Sequence, residues 1–108
     1  WQGDTNAMIL AAMAETKSPA AVLNVAGQEV LEVETLAKGL AARLGREPIF
    51  TGKPAEDALL SCPAKAASLL GWAEMTIEEM MDQVASWVKA GGESYGKPTR
   101  FEVRDGVF

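Results

Sequence analysis

No histidine occurs among the 108 residues, and Cys62 is the lone cysteine. Catalysis by Ser-His-Asp or Cys-His sets is thereby excluded, as are zinc sites built on Cys and His and any disulfide within the chain. Cys62 has no basic neighbour in sequence to activate its thiol and reads as a small buried or capping residue. Glu56 and Asp57 are a carboxylate pair, but adjacent side chains diverge on a helix or a strand, which separates them for paired acid/base work. Asp4 suits either the wall of a pocket or the cap of a helix. Arg100 and Arg104, alternating with Phe101 and Val103, suit an anion clamp or equally a half-exposed edge strand. Met75, Met80 and Met81 with Trp72 and Trp87 fit an adaptable binding surface, a core, or a face turned towards a further domain.

The net charge is −5, from 15 acidic and 10 basic residues, and the basic ones are scattered singly. No run of them could neutralise successive phosphates, so the reading excludes nucleic acid as a partner. The longest apolar run, 7–14, is too short for a bilayer, which needs about 20 residues. No basic segment precedes an apolar stretch as in a signal peptide. No membrane and a cytoplasmic location are the corresponding expectations. A hydrophobic fraction of 48% with 23% charged residues is that of a folded globular chain. Trp1 leads at once into a helical pattern, which suggests a cut made in a longer polypeptide.

The elements that must position these residues follow from periodicity. A helix starts at Asp4 or Thr5 as cap and runs through the unbroken apolar series 7–14, which being apolar all round must be covered all round. Residues 21–25 (AVLNV) read as a strand buried on both faces, closed by Ala26-Gly27. Val33, Leu36, Ala37, Leu40, Ala41 and Leu44 form one helical stripe, with Gly45 placed to end it in the left-handed conformation. Residues 48–51 (PIFT) read as a second strand. Ser61 or Cys62 can cap a short helix with Pro63 at its first position, ending at Gly71. Thr76 and Glu79 fit a capping box opening a helix whose face carries Ile77, Met80, Met81, Val84, Ala85 and Val88, and Gly91-Gly92 stops it. Residues 101–104 alternate like a third strand before a turn at Asp105-Gly106. The fold class read from this order is α/β: a mostly helical fragment with two or three short strands, few for a self-sufficient sheet.

Residues 22–29 (VLNVAGQE) resemble the LNVxGxE segment of NAD-dependent epimerase/dehydratases, the extended short-chain dehydrogenase/reductases. In order and spacing the resemblance continues through a helix ending at Leu44-Gly45, a strand, a loop, a short helix ending at Leu70-Gly71-Trp72, and a capped helix ending near Trp87. It covers residues 1–92, leaving 93–108 as a C-terminal tail that can supply an edge strand. The family's HVxD stretch would fall on the N-terminal residues, where Gln2 and Gly3 depart from it and Asp4 keeps the acidic position. The resemblance implies the C-terminal, substrate-side part of a Rossmann-type enzyme acting on a sugar or nucleotide-sugar.

Within that family, NAD or NADP binds a glycine-rich turn and a Tyr-x-x-x-Lys pair handles the proton, both upstream of this portion. Neither motif is in the chain: Gly91-Gly92 follows a helix, and Tyr95 has Thr99 four positions on, with Lys97 only two away. No catalytic, cofactor-binding or metal residue is therefore assigned, and the isolated chain is expected not to be catalytic alone. Lys53, in the loop after the second strand, corresponds to a place where relatives often carry a basic residue near the diphosphate; it is the one substrate-binding candidate, beside its reading as a solvated loop lysine. The expected partners are the missing nucleotide-binding domain or a second copy in a homodimer. The alternative is a stand-alone, non-catalytic binding or oligomerisation module. An acyl-carrier domain is excluded, since no serine stands in an Asp-Ser-Leu setting.

Overall fold

The computed structural model describes residues 1–58 and 60–97. Four α-helices follow in order: α1 (Gln2–Ala12), continued by a 3-10 turn at Met13–Glu15, α2 (Val33–Leu44), α3 (Ala64–Leu70) and α4 (Ile77–Lys89). Among the described residues there is no strand, and the α/β expectation is corrected to an all-helical arrangement. Residues 21–25 and 48–51 lie outside the helices, but among the described residues no backbone–backbone hydrogen bond joins either to a neighbour. A short apolar run becomes a strand only when a ladder partner lies beside it, and these two do not pair. Val22 is 77% exposed and Ile49 90%, so neither run is the buried strand that its apolar composition suggests. The third run, 101–104, with Arg100, Arg104 and the turn at Asp105-Gly106, lies outside the described residues.

The helices pair in two sets. On α2 and α4 the predicted stripes meet: Ala41 is buried on one, Met81 and Ala85 on the other, and the two helices are in contact. Glycine at 39 lets them approach closely, because a Cβ there would stand 2.8 Å from Met81 Sδ. Arg43 of α2 forks to two carboxylates one turn apart on α4. Its Nε donates to Asp82 Oδ1 at 2.5 Å and its Nη2 to Glu78 Oε2, while Nη1 turns back to the Gly39 carbonyl at 3.2 Å. Hydrogen bonds to Asp82 and then Glu78 raise the guanidinium pKa above its ordinary value. The second set, α1 with α3, buries Met8, Ala66 and Ala67. Both sets are built largely from alanine.

Helix ends follow their sequence signals in part. Gly45 adopts φ 66°, the left-handed conformation that disfavours residues with a Cβ, and lets the Arg46 N–H close on Ala41 O at 2.9 Å. The capping box of α4 is complete: Thr76 Oγ1 accepts from the Glu79 N–H at 3.2 Å, and Glu79 Oε2 accepts from the Thr76 N–H at 2.9 Å. These bonds, the backbone one first, hold the Glu79 carboxyl below its ordinary pKa. Two expectations are corrected. Helix α1 begins one turn earlier than read, with Trp1 at the cap, so Asp4 is not a capping residue. Pro63 occupies the cap position of α3 rather than its first turn, neither Ser61 nor Cys62 caps it, and Cys62 is exposed.

Candidate functional site

The two helix sets meet around a partly open cavity of about 500 Å³, a size within the ~300–1,000 Å³ common for small-molecule sites. Its walls come from three stretches far apart in sequence: the first two turns of α1, residues 25–29, and the turn 73–77 entering α4. Asp4 fixes the first wall to the third. Lying in the opening turn of α1 instead of before it, its carboxylate accepts the Glu74 N–H on Oδ1 and the Met75 N–H on Oδ2, both at 3.3 Å. Those two N–H groups belong to the non-helical turn before α4, where no intrahelical carbonyl is available to them. Gln28 fixes the second wall to the third, its Nε2 donating to Ala73 O at 3.3 Å.

The cavity floor is apolar, from Met8, Val25, Ile77, Met80 and Met75, with Trp1 at one side. Its polar groups are three carboxylates (Asp4, Glu29 and Glu74), the Gln28 amide and the hydroxyls of Thr5 and Thr76. Among the described residues no lysine or arginine lines it. Such a lining offers many acceptors to a hydroxyl-rich or cationic group and repels an anion. Chemistry is another matter: Thr76 is engaged in the capping box and Thr5 Oγ1 donates to Trp1 O at 3.1 Å, so neither hydroxyl is set against a free base.

Lys53 lies elsewhere. It is exposed in the loop 51–58, lines neither cavity, and makes no hydrogen bond or ion pair among the described residues. Glu56 and Asp57 are exposed in the same loop, away from the cavity. The methionine and tryptophan group divides: Met81 is core, Met75 and Met80 line the cavity, and Trp72 and Trp87 are exposed. Asp4 lines the cavity, one of its two readings, and ties α1 to the 74–75 turn; it is not the helix cap of the other reading. Gln28 and Glu29 lie in the segment 22–29, but nothing in that segment alone shows that they line one cavity with residues 73–77. Glu74 carries no sequence signal of its own.

A second, more apolar groove of about 310 Å³ runs between α1 and residues 20–25. No helix among the described residues is long and apolar enough to cross a membrane, and no group of three or more acidic or cysteine residues among them could hold a metal ion. Compared with known proteins, the chain matches no family model, no curated protein and no solved structure.

Proposed function

We propose that the chain is the substrate-binding side of a nicotinamide-dependent epimerase, dehydratase or reductase of sugars or nucleotide-sugars, working in the cytoplasm and not catalytic alone. One observation carries the reading. Three of the places that carry the resemblance, Asp4, residues 22–29 and the capped helix opening at Thr76, are distant in sequence yet converge, at Asp4, 25–29 and 76–77, on a single cavity. Its acceptor-rich lining suits sugar hydroxyls. A diphosphate would have to lie away from the three carboxylates, and the exposed Lys53 is the residue proposed to meet it.

The decisive observation is the coding sequence upstream of Trp1. An open frame carrying a Gly-x-x-Gly-x-x-Gly turn and a Tyr-x-x-x-Lys pair is the expected result. On titration calorimetry the isolated chain should bind neither NAD(H) nor NADP(H) tightly, and a one-to-one complex in the low micromolar range would overturn the assignment. The second reading, a stand-alone binding or oligomerisation module, draws on the uncharged outer face of α1. A start codon immediately upstream would favour it.

A further inference from the structure

The 500 Å³ cavity receives one carboxylate from each of its three walls: Asp4 from α1, Glu29 from residues 25–29 and Glu74 from the turn before α4. Glu29 and Glu74 are exposed, and among the described residues their carboxylates take part in no hydrogen bond or ion pair. Asp4 is half-buried. Each of its oxygens accepts one backbone N–H and keeps a further lone pair.

The side-chain donors of the same walls are already engaged. Thr5 Oγ1 donates to Trp1 O, Thr76 Oγ1 to Glu79 Oε2 at 2.8 Å, and Gln28 Nε2 to Ala73 O. Acceptors in excess of donors define the guest. A hydroxyl brings one proton and lone pairs that want donors in return, whereas an ammonium brings three N–H groups and no acceptor. Charge points the same way. Three carboxylates around one apolar-floored cavity, with no lysine or arginine among the described lining residues, set up a negative potential that a cation relieves. Trp1, 50% exposed at one side, adds an aromatic ring, which attracts cations.

We infer that the cavity takes an amino sugar with a free, protonated amine, the ammonium lying among Asp4, Glu29 and Glu74. The inference rests on the sugar reading above and names the substituent by which the sugar is chosen. The hydroxyls of the ring meet the remaining acceptors, and its apolar face lies on Met8 and Met80. An N-acetylated sugar, neutral at that nitrogen, is discriminated against.

A two-dimensional 15N NMR titration of the full chain tests this, with glucosamine, glucose and N-acetylglucosamine at about pH 6, where the amine is protonated and carboxylates are ionised. Glucosamine is expected to shift the amides of residues 73–76 and the Trp1 indole N–H. Its dissociation constant should be about fivefold or more below that of either neutral sugar. Added salt should narrow the gap. The double variant Glu29→Gln, Glu74→Gln, altered only at exposed positions, should close most of it at unchanged helicity by circular dichroism. Equal affinity for the three sugars at this cavity would overturn the choice by amine and leave the sugar reading standing. No binding of any of the three would overturn both. A preference that survives in the double variant, or shifts confined to residues away from the cavity, would overturn the assignment of the carboxylates.

Discussion

Gly39 shows how much one absent Cβ can decide. It lies where α2 packs against α4, with Met81 Sδ where a side chain would go. Alanine there gains about 1 kcal/mol of helix propensity over glycine, and Met81, an unbranched side chain, can move its sulfur aside. Gly39→Ala should therefore leave urea stability within about 1 kcal/mol of the parent, because gain and crowding offset. Gly39→Val cannot be accommodated in that way and should destabilise by about 1–3 kcal/mol. Equal stability of the two variants would show that the helices do not touch at this point. Nothing in the sequence marks Gly39; it sits in a helical stretch and looks like a mere weakness. Gly45 was legible, since a glycine just past a periodic run has a local reason to be there. Asp4 was half legible: an acidic residue near a helix start is a cap by local rules, and only its distant partners, the Glu74 and Met75 amides, show that it ties two segments together.

Among the elements, those with a complete local signal were readable. The period-3.6 stripes of α2 and α4, and the Thr76–Glu79 box, need no distant partner to declare themselves. The segments 21–25 and 48–51 failed for the opposite reason: strand character depends on what lies alongside, and composition carries no record of that. The box also makes α4 sensitive to acid. Glu79 titrates below its ordinary value when folded, so in the acid range the unfolded chain binds more protons than the folded one. The stability it contributes is present above the ordinary glutamate pKa and is lost as pH falls through the folded value. Thermal melts between neutral pH and pH 3 should show this loss, and Glu79→Gln should flatten that part of the profile. Thr76→Ala should cost about 1 kcal/mol at neutral pH. A parent profile indistinguishable from that of Glu79→Gln would mean that the box is not formed in solution.

At the scale of the whole molecule, what was legible was the number and order of the helices, and what was hidden was how they share a core. The stripes on α2 and α4 predict one buried seam, and there is one; yet Val84, Val88 and Trp87, on or beside the same helix face, remain exposed. The cavity was not legible as a site, since its three walls are brought together by the ties from Asp4 and Gln28 and by no local pattern. Among the described residues the buried core consists of Met8, Met81 and four alanines, and its smallness has a thermodynamic signature. The heat-capacity increment on unfolding scales with the apolar area that becomes wetted, and so does the steepness of a urea transition. A chain with so few large side chains to wet has little of either. Its stability should change gently with temperature, without a sharp maximum, and its melting should be spread over a wide interval instead of collapsing at one point.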